Sequence, residues 1–204
     1  MSHLVVDLKP LEQADYSISL RDLTREEYLA FCEANPNFRI ERSATGEVIV
    51  MPPAHSRTSA QNFEIVKQLA NWAEQDGRGF GFGPDSGYDL PNGANRGPDA
   101  SWVLKSRLAT LTKAQKDAFL PLCPDFAIGL RSGSDRLPTL REKMLEYIEN
   151  GSRLAWLIDP KSRKVYVYRP GAEEDVLDNP QSVSADPELP GFRLDLARVW
   201  DPGF

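Results

Sequence analysis

With 204 residues, 41% of them apolar and 26% charged, the chain has material for one substantial core and too much of it for a disordered segment. A net charge of −6 weighs against wrapping nucleic acid over the whole surface, and two isolated cysteines, Cys32 and Cys123, exclude a disulfide framework and a CxxC zinc ribbon. No run of about eighteen apolar residues exists and the start, MSHLVVDLKPLEQAD, lacks a signal-peptide pattern, so no membrane span is expected and a reducing cytoplasm is.

In chain order, residues 1–21 read as an acidic lead-in, and residues 22–200 as one domain. Thr24 followed by Arg25-Glu26-Glu27 has the form of a capping box before a short helix. Phe38–Arg42 and Glu47–Met51 flank Ala44-Thr45-Gly46, which predicts a β-hairpin. From Ser56 to about Asp76 the spacing of Phe63, Val66, Leu69, Ala70, Trp72 and Ala73 predicts a helix that Gly77 closes. Phe80–Phe82, Tyr88–Leu90 and Ala100–Leu104 read as strands, and Leu111–Cys123 is expected to contain a helix opened by Thr112. Then come a strand (Phe126–Arg131), a helix (Leu140–Asn150), a strand (Leu154–Asp159) and an alternating strand, Lys164–Arg169. The tail from Gly171 is acidic and turn-rich until Phe192–Trp200.

Several chemistries have no support. His3 and His55 are too far apart for a local zinc cluster, and neither GxxxxGK[ST] nor GxSxG occurs. What remains is carboxylates beside strands. Magnesium prefers hard oxygen ligands and keeps several waters, so two or three acids meeting at neighbouring strand ends suffice to bind it. Asp99, opening the strand Ala100–Leu104, suits that position, although Pro-Asp turns before strands are common and Pro84-Asp85 and Pro124-Asp125 repeat the dipeptide. Lys143 borders the apolar stripe Leu140, Met144, Tyr147 and Ile148; taken alone, it reads as a stem laid along the surface with its ammonium in water. Residues 131–170 carry 9 basic and 5 acidic side chains, the one clear basic excess, which makes Arg163 and Lys164 weak candidates for phosphate contacts.

Taken together, the run GPDASWV … CPDFAIGLRSGSDRLPTLREKMLEYIENGSRLAWLIDP, the upstream IERSATGEVIVMPP and the downstream VYVYRPG closely resemble the Uma family of restriction endonucleases, a branch of the PD-(D/E)XK nuclease superfamily. The resemblance implies a restriction-endonuclease-like α/β fold, a central mixed β-sheet flanked by helices, with an N-terminal β-hairpin. It implies that Asp99 is the aspartate of the PD motif and a metal ligand, and that Glu64 supplies an outer metal ligand. Lys143 then takes the role of the superfamily's lysine, moved to the helix. The family's glutamate in the strand after the second Pro-Asp falls at Gly129, so the position of the missing carboxylate is Gly129. The implied activity is Mg2+-dependent (or Mn2+-dependent) cleavage of DNA, impaired to the degree that Gly129 leaves the site short of a ligand. The alternative is a catalytically inactive DNA-binding or interaction protein on the same fold. Cutting both strands would favour a homodimer.

Overall fold

The structure, a computed structural model, describes residues 18–20, 23–51 and 53–204. The lead-in expected over residues 1–21 lies outside them, apart from strand β1 (Ile18–Leu20). Helix α1 (Arg25–Ala34) starts on the expected capping box: Thr24 Oγ1 accepts from Glu27 N at 3.2 Å, and the Glu27 carboxylate accepts from Thr24 N at 2.9 Å. The hairpin of β2 (Arg39–Arg42) and β3 (Val48–Met51) closes through Gly46, whose φ of 88° suits glycine, with Gly46 N donating to Ser43 O at 3.0 Å. Helix α2 (Ser56–Asp76) ends, as its spacing predicts, on a left-handed Gly77. Its buried face is centred on Ile65, Leu69 and Ala73, whereas Phe63, expected in the stripe, is 71% exposed.

Strands β4 (Gly79–Phe82), β5 (Tyr88–Asp89), β6 (Asn95–Arg96) and β7 (Ala100–Leu104) follow. Helix α3 (Lys105–Ala109) follows β7, and the helix expected within Leu111–Cys123 is the single turn α4 (Lys113–Lys116). Thr112 does cap α4, but the chain then turns back to β5. Leu120 N donates to Gly87 O at 3.0 Å and Asp89 N to Leu120 O at 2.9 Å, bonds a continued helix could not make. Next come β8 (Phe126–Leu130), α5 (Leu137–Glu149), β9 (Leu154–Asp159) and β10 (Lys164–Tyr168). The tail holds more structure than its composition suggests: β11 (Asp175–Asp178), β12 (Ser182–Ser184), β13 (Arg193–Asp195) and α6 (Ala197–Trp200).

The central sheet runs β11-β10-β9-β8-β7-β4, with β8 and β9 parallel and the other pairs antiparallel. Side-chain alternation divides its residues between two faces. Trp102, Phe126, Ile128 and Trp156 pack under α2 and the C-terminal segment, where Phe192 stacks on Trp156. Ala127, Ala155 and Leu157 pack under Met144 and Tyr147 of α5. Strands β8 and β9 are therefore buried on both faces, which explains their nearly continuous apolar sequences. A second sheet, β1-β3-β2-β6-β5, carries the hairpin. Among the described residues no helix is long and apolar enough to cross a membrane.

Candidate active site

The two sheets meet at the segment from Asn95 to Asp99, which leaves β6 and enters β7. Here Asp99 is buried at 9% exposure. Asp99 N donates to Ile128 O at 2.8 Å, and Asp99 Oδ2 accepts from Leu130 N at 2.7 Å, so strand β8 fixes both its backbone and its carboxylate. The other oxygen, Oδ1, accepts from Arg39 Nη1 of β2 at 2.8 Å and stands 3.4 Å from Asn62 Nδ2 of α2.

Beside it lies a carboxylate that no sequence motif marks. Glu41, on β2, is 3% exposed. Its Oε1 accepts from Lys143 Nζ at 2.5 Å and from Gly97 N at 3.1 Å; its Oε2 lies 3.4 Å from Arg96 Nη1. Burial alone would push the Glu41 carboxyl up, but Lys143, Arg39 and Arg96 outweigh it and hold its pKa at about 2. Lys143 also donates to Gly97 O at 3.0 Å, and Arg39 Nη2 donates to the same carbonyl. A Cβ at Gly97 would stand 3.2 Å from Ser86 O, so any side chain there would crowd a backbone oxygen. The signals available for Glu41 were a charged residue inside an expected strand and its place in the run IERSATGEVIVMPP that carries the family resemblance.

Asp99, Glu41, Lys143, Arg39 and Gly97 line one cleft of about 820 Å³, together with Asn62, Phe63, Ser132 and Asp135. The ammonium of Lys143 is inside it and ion-paired, so the reading of a stem with its head in water is corrected: the head is held by the buried Glu41 carboxylate at 2.5 Å. Glu64 is elsewhere. Its carboxylate pairs with Lys67 and accepts from Gln68 Nε2 at 2.9 Å, and it lines a separate depression with Arg198. Two residues of helix are about 200° of rotation, so Asn62 faces Asp99 while Glu64 faces α6 and β13. The side chain of α2 nearest the Asp99 carboxylate is thus an amide, Asn62.

Gly129 lies across from Asp99, because the pairing of Ala100 with Ile128 continues one step outward. A side chain at 129 would project onto the α5 face, where its Cβ would stand 3.0 Å from Met144 Cε and 3.7 Å from Leu157 Cδ1, while the Asp99 carboxylate turns to Arg39, Leu130 N and Asn62. Methionine occupies the space a carboxylate there would need. Arg163 and Lys164 sit in the turn from β9 to β10, at the same end of the sheet but outside the cleft, and Lys164 pairs in the ladder with Asp159 and Asp178. Glu146 takes Arg96 Nε at 2.5 Å, and Asp135 caps its own loop by accepting from Ser132 N at 2.8 Å.

Chemically, the arrangement is two buried carboxylates, three cations and one amide around an open cleft, balanced almost to neutrality. Among curated proteins nothing matches the chain. A crystal structure described as a putative nuclease belonging to DUF820, from Anabaena variabilis, superposes with a TM-score of 0.75. It is 23% identical and covers 88% of this chain and 98% of its own, which shows the shared fold. The family described as "Uma2: Putative restriction endonuclease" matches residues 25–197, taking in the whole central sheet, the β2–β3 hairpin, α2, α5 and the cleft. On that match, the chain belongs to the Uma2 restriction-endonuclease family.

Proposed function

We propose that the chain is a metal-dependent DNA endonuclease whose site is the cleft holding Asp99, Glu41 and Lys143. The observation that carries this reading is the meeting, on one cleft wall, of two buried carboxylates and a lysine from three separate elements, β2, the start of β7 and α5. A nuclease site needs hard oxygen donors beside a positive charge that meets the phosphate.

The donors fit magnesium or manganese in kind. Among the described residues no three acidic, histidine or cysteine side chains converge. Asn62 Oδ1, however, is buried without a hydrogen-bond partner beside Asp99 and completes a set of three oxygen-bearing groups. Asp99, Glu41 and Asn62 would hold the ion, and waters would fill the remaining positions. When bound, the ion supplies Lewis-acid activation of the attacking water.

Hydrolysis puts a water oxygen on phosphorus and breaks one P–O ester bond, so negative charge grows on the phosphate and on the leaving oxygen. Lys143 answers both. Burial lowers its pKa, Glu41 raises it, and Arg39 and Arg96 lower it again; the balance is a stronger acid than a surface lysine, suited to giving a proton to the leaving oxygen. Glu41 holds that ammonium in place, and Leu130 N keeps the Asp99 carboxylate turned toward the cleft.

Nicking of supercoiled plasmid with magnesium or manganese, against a chelator control, tests the proposal. Wild type should nick, and Asp99→Asn and Lys143→Met should each lose about 100-fold or more. A second reading, DNA binding without cleavage, is favoured by one observation. Both oxygens of Asp99 and both of Glu41 already face protein N–H groups. Gel retention of duplex without nicking, in any metal, would select it.

A further inference from the structure

We infer that Arg39 is a displaceable counterion, masking the metal-binding oxygens until a DNA phosphate draws it away. This rests on the proposed nuclease reading and adds to it an order of events.

The geometry is that of one cation serving two acids. Arg39 Nη1 lies 2.8 Å from Asp99 Oδ1, and Nη2 lies 3.7 Å from Glu41 Oε1 while donating to Gly97 O. A guanidinium therefore stands between the two carboxylates that a divalent ion would have to share. The three cations around Glu41 are not equally held. Arg96 is 12% exposed and clamped between Glu41 and Glu146, and Lys143 is 14% exposed against Glu41 and Gly97 O. Arg39 is 28% exposed and lines the cleft. It is the cation of the three with the most open path to a ligand.

Arginine binds phosphate in a bidentate fork as readily as carboxylate, so a DNA phosphate in the cleft competes directly for it. Its departure would free Asp99 Oδ1, while Leu130 N still holds Oδ2 and keeps the carboxylate oriented. Two buried carboxylates left short of one positive charge then favour a divalent cation. Coupling of this kind is reciprocal: DNA must tighten metal binding, and metal must tighten DNA binding, by the same factor.

The test is titration with Mn2+ alone, by calorimetry and by loss of the free-ion electron paramagnetic resonance signal. It is run with and without a phosphorothioate duplex, the duplex's own Mn2+ binding being subtracted. For wild type, the duplex should tighten Mn2+ binding by about tenfold or more. Arg39→Met should bind Mn2+ that tightly without DNA, and the duplex should add little. Arg39→Lys, whose single ammonium cannot span both acids, should fall between and guards against a misfolded methionine variant. Equal Mn2+ affinity in wild type and both variants overturns the inference, as does a duplex effect of the same size in all three. If that happens while wild-type plasmid nicking persists, only the masking role is lost. If no variant binds Mn2+ and nothing is nicked, the nuclease reading falls with it.

Discussion

Glu41 faces three cations with a single carboxylate, and its removal leaves Lys143, Arg39 and Arg96 short of a partner in a buried place. Breaking a buried pair from one side costs about 3–5 kcal/mol, because the remaining charge is uncompensated. Glu41→Gln should therefore lower the stability at pH 7 by roughly that amount in urea unfolding. The pH dependence follows from the depressed carboxyl. Its pKa falls from an ordinary 4.5 to about 2 on folding, so the stability it contributes is complete above pH 4.5 and is lost as the pH drops toward 2. The gap between wild type and Glu41→Gln should shrink across that window and nearly close at its lower end. Adding Lys143→Met to Glu41→Gln should cost less than the two single changes combined, since each removes the other's unpaired partner. Strict additivity would mean that the two side chains do not depend on one another.

At the level of elements, the site is a junction. Strand β8 presents Leu130 N to Asp99, the hairpin delivers Arg39 and Glu41, α2 delivers Asn62, and α5 delivers Lys143. Gly129 matters here because it sets how closely α5 lies on β8: Met144 fills the room a side chain would take. Gly129→Glu would put a third carboxylate on the strand position across from Asp99, but it must push Met144 Cε aside from 3.0 Å. Overpacking of this sort costs about 1–3 kcal/mol. The expected outcome is a lower melting temperature together with tighter Mn2+ binding than wild type. Gly129→Ala, which crowds Met144 without adding a ligand, should show the first effect and not the second. Unchanged Mn2+ affinity in the glutamate variant would mean that Glu41 and Asn62 already complete the site.

For the molecule as a whole, the proposed function sets a problem of charge: a chain of net −6 would have to meet a polyanion. The cleft does not solve this by itself, since Arg39 and Lys143, which line it, are engaged by its own carboxylates. Additional phosphate contacts at the same end of the sheet would come from the segment of basic excess. Arg163→Gln with Lys164→Gln should flatten the dependence of log Kd on log salt by about one unit for each phosphate no longer neutralised. The ladder partners of Lys164, Asp159 and Asp178, argue that Lys164 contributes less than Arg163. A slope that does not change would leave the cleft rim, where Arg136 is exposed at the start of α5, as the path of the DNA.

The parts of this protein legible in its sequence are those that local chemistry decides. Ser43–Glu47 turns because Gly46 accepts a positive φ, α2 runs from Ser56 to a left-handed Gly77, and Leu154–Asp159 forms a buried strand because its apolar run tolerates no exposed face. Asp99 and Lys143 were legible as candidates, through a Pro-Asp before a strand and a lysine at the margin of an apolar stripe. Which groups actually meet them was decided by tertiary structure alone. Arg39 reaches Asp99 across 60 residues of sequence and Lys143 reaches Glu41 across 102, and no pattern of spacing carries information over such distances. The rotation of α2 about its axis chose Asn62 over Glu64, because burial of Ile65, Leu69 and Ala73 fixed which side of the helix faces the sheet. Composition counts charges, but only packing determines which of them are taken out of water together, and it is that joint burial which turns Glu41, Arg39 and Lys143 from surface charges into a site.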